Sequence, residues 1–428
     1  MSKNFKRFLI MLGFIASTAA ISRAQQVFVA NLSGAQEAPA VTTVGKGVCQ
    51  AILNAAQTQI TVNCRYSGLS SGANGAHIHG SASVGEGAPV LFDFGTVSGA
   101  AGTIAPAAIT VTAQQVADLR ANKMYVDVHT ANNPNGEIRG QLHVSNAVFN
   151  DYDGDGRTDP TVFRPSEGVW YSQLSLNGSV KAQNWGLGTD ITSNNTDFDG
   201  DGISDHAAIR VNQTSGQLTT YILQSETNSM RVEQFGNAAF GDQIGTGDFD
   251  GDGKFDVGVF RSGLWIYIES SSGAVRYFNW GTNGDFPTQG DFDADGKNDF
   301  AVVRNESGQY VWYIRRSSDG QMRIIPFGLV GDSVLNRSDF DGDGKSDMTV
   351  RRTISGNHYY YTLRSSDGQI AATQWGIAND ILRFGDYDGD GKTDLTAVRN
   401  QNGNFVWYVL QSSNNLMRNY YWGIAGDR

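Results

Sequence analysis

The chain has 428 residues, which is too long for one ordinary hydrophobic core, so two domains or a repeat array are expected. Its formal net charge is −11 at pH 7. A chain this acidic does not hold nucleic-acid phosphates by electrostatics, so its natural partners are cations and nucleic acid is excluded.

The first residues predict export. Residues 1–24 combine a basic start (Lys3, Lys6 and Arg7), a short apolar run and small residues before a cleavage point, which is typical of a secretory signal peptide. The run is too short to span a bilayer comfortably, so an uncleaved anchor is the less favoured alternative. We expect a mature protein that starts near Gln25, is secreted or held at the cell surface, and has no membrane span.

The two cysteines, Cys49 and Cys64, lie in two alternating apolar and polar runs that flank a turn near Ala56 and Gln57. Counting outward from this turn places the cysteines opposite each other on antiparallel strands. Because an exported protein meets oxidising conditions, a structural disulfide is favoured over two free thiols.

Residues 25–145 form a first module with long alternating strands and many small residues. The segments "QEAP", "HIHG" and "GEIRGQL" follow one another in order along it. In these segments the module resembles the chordin-type (CHRD) domain. The resemblance implies an all-β, sandwich-like domain of secreted proteins with a role in binding.

Histidines are concentrated in this module. His77 and His79 share one face of a strand because side chains alternate, and such pairs can chelate copper or zinc. Together with His129 they are the candidate residues for a second kind of metal site. The alternative is that these histidines are hydrogen-bonded or lie at the surface.

Residues 146–428 contain six copies of one unit, each with a nine-residue acidic loop such as "DYDGDGRTD", at intervals of 43 to 51 residues. Short alternating segments rich in β-branched and aromatic residues, separated by Gly, Ser and Asn turns, predict four strands per unit, which we name a to d. Four-stranded units repeated side by side indicate a β-propeller. We therefore predict an all-β protein with a propeller of six blades; seven blades are the alternative.

Each unit also carries an aromatic residue followed by glycine, for example Trp185-Gly186 and Phe327-Gly328. With the acidic loop, this pair makes the units similar to the FG-GAP or VCBS-type repeats of bacterial surface proteins, from Asp151 to Arg428. The aromatic-glycine pairs are predicted to pack between blades.

The acidic loops are candidate calcium sites, because calcium takes six to eight hard oxygen ligands and alternate residues of a tight loop can aim theirs inward. Carboxylates at loop positions 1, 3, 5 and 9 and the carbonyl at position 7 would bind up to six structural ions. An EF-hand is excluded because position 12 holds Val or Ala instead of Glu. The predicted ligands are Asp151, Asp153, Asp155, Arg157, Asp159, Asp197, Asp199, Asp201, Ile203, Asp205, Asp248, Asp250, Asp252, Lys254, Asp256, Asp291, Asp293, Asp295, Lys297, Asp299, Asp339, Asp341, Asp343, Lys345, Asp347, Asp386, Asp388, Asp390, Lys392 and Asp394.

An arginine follows each loop at a fixed distance, for example Arg164 and Arg399. It is predicted to pair with an acid between blades or to stack on a tryptophan, in preference to binding a ligand. The interval from this arginine to the next aromatic strand varies, which predicts variable loops between strands b and c. Variation on one face often marks the binding surface, so we expect the face opposite the acidic loops to bind the partner.

The leading functional hypothesis is a secreted or cell-surface, calcium-stabilised binding or adhesion protein that recognises an extracellular protein or glycan. The alternatives are a glycan lyase or hydrolase framed by the propeller, and a lectin with repeated exposed aromatics. No nucleophile motif, phosphate loop or isolated acid pair is visible in the sequence, so no catalytic residue is assigned and an enzyme is disfavoured. Glu167 and Glu306 are the acids where a catalytic role would be sought.

Overall fold

A computed structural model describes residues 26–54, 56–83, 85–144, 150–193 and 197–428. The predicted signal peptide, the mature start near Gln25 and the boundary between residues 145 and 146 lie outside the described residues and stay predictions. Among the described residues, no helix is both long enough and apolar enough to cross a membrane.

The first module is one antiparallel sheet with the strand order β5-β4-β7-β8-β1-β2-β3-β6, and β9 pairs with β1. The predicted all-β structure is confirmed, and the strands form one continuous, nearly closed sheet. Side chains from most of its strands pack into one core, so the sheet curves around its own apolar face. The strands are β1 (Gln26–Ser33), β2 (Lys46–Leu53), β3 (Gln59–Ser67), β4 (Ala73–Gly80), β5 (Val90–Asp93), β6 (Gly102–Thr110), β7 (Met124–Thr130), β8 (Ile138–Gln141) and β9 (His143–Val144).

A short 3-10 helix, Gly34–Gln36, and one α-helix, α1 (Ala113–Arg120), interrupt the strands of this module. Thr112 and Gln115 form a capping box at the start of α1, in which each side chain accepts a hydrogen bond from the other residue's backbone N–H. This cap fixes where the helix begins. The predicted disulfide is confirmed, because Cys49 and Cys64 are paired in the register of β2 and β3 and are bonded to each other.

The remaining strands form six antiparallel sheets, which confirms the predicted propeller and its six blades. Five sheets have four strands and the first has three. A second 3-10 helix, Ala238–Phe240, lies between two blades. The strands are β10 (Thr161–Arg164), β11 (Val169–Gln173), β12 (Val180–Asn184), β13 (Ile191–Ser193), β14 (His206–Val211), β15 (Gln217–Leu223), β16 (Met230–Asn237), β17 (Gln243–Ile244), β18 (Val257–Arg261), β19 (Leu264–Ile268), β20 (Val275–Asn279), β21 (Phe286–Thr288), β22 (Phe300–Glu306), β23 (Gln309–Arg315), β24 (Met322–Leu329), β25 (Ser333–Leu335), β26 (Met348–Ile354), β27 (Asn357–Leu363), β28 (Ile370–Ile377), β29 (Ile381–Gly385), β30 (Asp394–Gln401), β31 (Asn404–Leu410) and β32 (Met417–Ile424).

The first blade, β10 to β12, is completed by the other end of the propeller chain. The backbone N–H of Phe163 in β10 donates to the carbonyl of Arg428 at 2.9 Å, and the N–H of Arg428 donates back at 2.8 Å. Arg428 therefore takes the place of strand a, and this exchange closes the ring between the sixth blade and the first.

Aromatic-glycine pairs pack between blades, as predicted. Four of the tryptophans donate their indole N–H to a carbonyl in the next blade: Trp185 to Tyr221, Trp280 to Tyr313, Trp375 to Tyr408 and Trp422 to Tyr171. Gly328 shows why glycine follows, since its φ is +101° and a Cβ there would lie 3.0 Å from Val350 of the next blade.

The hairpins between strands b and c differ from expectation. Four of the six have two-residue turns in which both residues have positive φ, the geometry of a type I′ turn. The interval from the repeated arginine to the next aromatic residue therefore varies because strands b and c are longer in blades four to six. The length of the loop between these strands contributes only in the first two blades. The two-residue turns are Ser262-Gly263, Ser307-Gly308, Ser355-Gly356 and Asn402-Gly403.

Candidate metal sites

The six acidic loops lie at the same end of every blade, immediately before strand b. In the loops at 197–205 and 248–256, carboxylate oxygens of positions 1, 3 and 9 lie within 4.8 Å of one another, and the first loop repeats this arrangement. In the fourth loop the residues brought together are those of positions 1, 3 and 5. The structure therefore gathers predicted carboxylate ligands at each of these sites, while the carbonyl ligands at position 7 stay predictions.

Backbone N–H groups hold the first carboxylate of each loop in place. In the first loop Asp151 accepts hydrogen bonds from Gly154 at 2.6 Å and Gly156 at 2.8 Å. The φ of Gly156 is +81°, a conformation that glycine adopts without steric penalty, so glycine suits this sharp turn. The last carboxylate, Asp159, accepts a hydrogen bond from Tyr152 N–H at 2.8 Å, which folds the loop around its centre.

A serine that the sequence reasoning missed supports every loop from the hairpin between strands c and d. It stands two residues after the end of strand c in all six units, so aligning the repeats beyond the loops could have found it. Its N–H donates to the last aspartate of the loop. Its hydroxyl donates to the third aspartate of the loop. The pairs are Ser175 and Asp155, Ser225 and Asp201, Ser270 and Asp252, Ser317 and Asp295, Ser365 and Asp343, and Ser412 and Asp390.

The loops are also joined to one another by main-chain hydrogen bonds. The N–H at position 8 of each loop donates to the carbonyl of the first aspartate of the preceding loop, at 2.6 or 2.7 Å. The series runs around the whole propeller and closes on itself, so the candidate sites form one connected ring. The pairs are Thr158 to Asp386, Ser204 to Asp151, Phe255 to Asp197, Asn298 to Asp248, Ser346 to Asp291 and Thr393 to Asp339.

Crowding and burial disfavour negative charge in these loops. Burial, and then the charge of Asp155, raises the pKa of Asp153 to about 7. Burial and the charge of Asp199 raise the pKa of Asp201 to about 8. A bound dication would reverse this effect, because it stabilises the ionised carboxylates. All donors are hard oxygens, so the residues fit calcium better than a softer metal.

The residues at loop position 12 lie in strand b, as the exclusion of an EF-hand requires. Val162 is in β10 and Ala397 is in β30, and both are buried. The carboxylate at position 9 is therefore the last acidic side chain before or at the start of strand b.

The repeated arginine is a clamp between blades. In each unit it pairs through two nitrogens with a buried aspartate that follows the aromatic-glycine pair, so the predicted acid partner is confirmed. The aspartate also accepts a hydrogen bond from the backbone at the end of the preceding strand d. The guanidinium stacks on a tyrosine ring in five of the units, and that of Arg261 stacks on Phe240. The predicted stacking on a tryptophan is therefore wrong.

The first module lies on the propeller face that carries the acidic loops. The Gln36 amide donates to the carbonyl of Gly154 at 3.1 Å, and the Asn122 amide donates to the first aspartate of the sixth loop, Asp386, at 3.3 Å. The His143 ring packs on Gly156, since a Cβ there would be 3.2 Å from it. The described part of the module therefore covers part of the ring of loops and lies away from the opposite propeller face.

A second group of metal-binding side chains lies in the first module. Ligand atoms of His77, His79 and His129, the three predicted histidines, lie within 4.8 Å of one another and of Asp127, a residue that the sequence analysis did not select. Although burial alone would raise the pKa of Asp127, contacts with His129 and His79 lower it to about 2. The four side chains thus form a compact, mostly buried cluster.

Comparison with known proteins supports the two-part architecture. Residues 28–142 match the family model of the CHRD domain, which confirms the predicted resemblance of the first module. The chain therefore combines a CHRD domain with a six-bladed β-propeller. No curated protein matches the chain.

Solved structures similar to the chain share little sequence with it. The Dos1 propeller is 11% identical, with a TM-score of 0.35, over 71% of this chain and 80% of that chain. A dipeptidyl peptidase 4 from Porphyromonas gingivalis is 9% identical, with a TM-score of 0.30, over 63% and 47%. A protein from Lactobacillus plantarum is 12% identical, with a TM-score of 0.32, over 62% and 81%. The likeness of the acidic units to FG-GAP or VCBS-type repeats stays a prediction.

Proposed function

We propose that the chain is an exported binding protein whose propeller is stabilised by up to six calcium ions. Its free face, the propeller face opposite the acidic loops, recognises an extracellular protein. The observation that carries this proposal is the ring of acidic loops, in which carboxylates converge in the first four loops and each loop is hydrogen-bonded to the preceding one. Export is supported by the disulfide, which suits an oxidising compartment, and by the CHRD domain.

The free face of the propeller has the composition of a binding surface. Exposed apolar side chains recur where strand d of one blade connects to strand a of the next. Clustered exposed apolar groups are typical of surfaces that meet another protein. These side chains are Leu187, Phe240, Leu329, Val330, Ile377 and Ile424.

Two alternatives receive less support. A lectin would present repeated aromatic rings on this face, whereas five of these six apolar side chains are aliphatic. A catalytic acid would stand apart from the repeat, whereas Glu167 and Glu306 each accept a hydrogen bond from the tyrosine hydroxyl of their own blade. The two acids occupy comparable places in blades one and four, which favours a structural role.

Thermal unfolding with and without calcium tests the metal part of the proposal. At a calcium concentration 100 times Kd, each site adds about 2.7 kcal/mol to the free energy of unfolding. We therefore expect chelator to lower the Tm by many degrees and calcium to restore it. A single-loop variant, Asp291→Asn, should recover less of this increase than the wild type. An unchanged Tm in chelator would contradict the proposal.

Binding assays on the free face test the partner. Wild-type protein is compared with Ile377→Asp, which places a charge among the exposed apolar residues, and with the control Tyr277→Asp on an outer strand. Against a panel of extracellular proteins and a glycan array, we expect protein binding that is lost only in Ile377→Asp. Binding restricted to glycans would support the lectin instead.

A further inference from the structure

Two neighbouring strands of the CHRD domain carry the histidine cluster. His77 and His79 lie on β4, Asp127 and His129 lie on β7, and His77 is directly opposite Asp127 in the antiparallel register. Residues two apart share one face of a strand, so all four side chains project from the same side of the sheet. The intervening residues lie in the apolar core on the other side. Strands hold such a site more firmly than loops.

The distances within the cluster suit a single small ion. His77 Nδ1 is 2.9 Å from His129 Nε2 and 3.6 Å from Asp127 Oδ1. His129 Nε2 is 3.0 Å from Asp127 Oδ1, and His79 Nε2 is 3.0 Å from Asp127 Oδ2. A tetrahedral zinc site with bonds of about 2.0–2.1 Å separates its ligand atoms by about 3.3–3.4 Å. The observed distances lie on both sides of this value.

The outer nitrogens of two histidines are hydrogen-bonded to the backbone. His79 Nδ1 lies 2.8 Å from the Ala88 carbonyl, and His129 Nδ1 lies 3.0 Å from the Pro134 carbonyl. A carbonyl only accepts, so each Nδ1 must carry a proton, and in the neutral imidazole each Nε2 then directs a lone pair towards the cluster. Backbone partners of this kind typically orient histidine ligands of metals.

Hydrogen bonds inside the cluster do not account for all of its polar atoms. His79 Nε2 and Asp127 Oδ1 are buried and have no well-aligned hydrogen bond, although other atoms of the cluster lie within 3.0 Å. Buried polar atoms without a partner are rare, and an ion that is not part of the structure is one common reason. The side chain of His77 is 22% exposed, which leaves a path for an ion to enter.

We propose that one divalent transition-metal ion binds to His77, His79, Asp127 and His129, and that this ion is zinc. Three imidazole nitrogens and one carboxylate oxygen form a ligand set that zinc accepts and that calcium and magnesium do not favour. The ion links β4 to β7 and stabilises the CHRD domain independently of calcium. Copper(II) is the main competitor, because it binds such ligands more tightly than zinc in general.

Metal titration of the full-length exported protein tests this site. The protein is stripped of metal and returned to excess calcium, so that the acidic loops are occupied before zinc is added. Calorimetry should then show one equivalent of zinc that calcium does not displace. Cobalt(II) in place of zinc should give the intense visible absorption of a tetrahedral complex, and a copper(II) arm shows which ion is preferred.

Two matched histidine variants locate the ion. His129→Gln should weaken zinc binding by about 100-fold or more, because loss of even an outer partner of a ligand costs about 10–100-fold. His358→Gln, in the propeller, should bind zinc like the wild type. Absence of zinc uptake in excess calcium, a six-coordinate cobalt spectrum, or equal binding by the two variants would each overturn the proposal. The wild-type titration and spectrum decide the matter even if His129→Gln does not fold.

Discussion

The serine that follows strand c stabilises the loop carboxylates without being a predicted ligand. Ser270 illustrates its role, because its N–H and its hydroxyl donate to two different aspartates of the third loop, Asp256 and Asp252. These hydrogen bonds fix the orientation of both carboxylates before an ion arrives. A site whose ligands are already positioned loses less entropy on binding, so the serine is expected to raise calcium affinity.

Replacing this serine should weaken calcium binding at one loop. Ser270→Ala removes the hydroxyl bond to Asp252, and we expect calcium affinity at that loop to fall by about 10-fold, within the range for loss of an outer partner. The measurement is the calcium concentration needed to raise the Tm. Ser272→Ala in the same hairpin is the control, since its hydroxyl donates to Glu269 and accepts from the Ala274 N–H, and neither partner is an aspartate of the loop. Equal effects of both variants would contradict this role.

The raised pKa values of the loop carboxylates predict an unusual pH dependence without calcium. Asp153 has a folded-state pKa of about 7, above the value of about 4 of an unfolded chain, so the folded protein binds more protons between these values. Stability in chelator should therefore decrease as pH rises from about 5 to 8. With calcium bound the carboxylates are ionised in the folded and the unfolded chain alike, so stability should hardly change over this range. Tm measurements at about pH 5 and pH 8, in chelator and in calcium, show whether the dependence on pH disappears when calcium is present.

Each blade is fastened to its neighbour by an arginine clamp. Asp285 is almost completely buried, and besides Arg304 it contacts the backbone N–H of Thr282 at 2.8 Å. Removing the arginine would leave this buried carboxylate without its counter-ion. The clamps are therefore more important for stability than the exposed ion pairs of the outer hairpins.

The Arg304 clamp can be compared directly with an exposed pair in the same blade. Arg304→Met should lower the free energy of unfolding by about 3–5 kcal/mol, since it breaks a pair with a buried partner. Arg316→Met, which removes an exposed contact with Asp319, should lower it by about 1 kcal/mol or less. Urea unfolding in calcium measures both, and similar losses would show that the clamp is not a main support.

Sequence periodicity predicted the number of blades, the arginine–acid pairs and the disulfide because each depends on local spacing. The alternation in β7 places Asp127 on the face of His129, but its meeting with His77 depends on pairing between β4 and β7, which are about 50 residues apart. No local pattern specifies that pairing. The position of the CHRD domain on the loop face could not be predicted from the sequence either. It depends on contacts between distant parts of the chain, such as that of Asn122 with Asp386.

The ring of blades is closed by non-covalent contacts alone. Between the sixth and first blades, the clamp of Asp427 with Arg164 and the backbone pair of Arg428 with Phe163 take the place of a chain connection. At every other joint the chain itself also holds the blades together. Removing the same contact should therefore lower the free energy of unfolding more at the closure than at the other joints between blades.

The closure can be tested with two chemically identical variants. Asp427→Asn weakens the clamp at the closure, and Asp332→Asn weakens the equivalent clamp with Arg352 inside the ring. Both should destabilise the propeller, by up to about 3 kcal/mol, and Asp427→Asn should do so more strongly. Midpoints of urea unfolding in calcium provide the comparison; equal midpoints would mean that the closure is no weaker than the other joints.

The CHRD domain gives unequal surroundings to six loops that are nearly alike in sequence. Gln36 and Asn122 contact the first and sixth loops. Arg65 pairs with Glu226 beside the second loop, and Gln50 lies against Gly253 of the third. Calcium bound in a loop that the domain contacts would reach solvent more slowly than calcium in a loop that is open to solvent. Release of calcium into a chelator would then follow more than one phase.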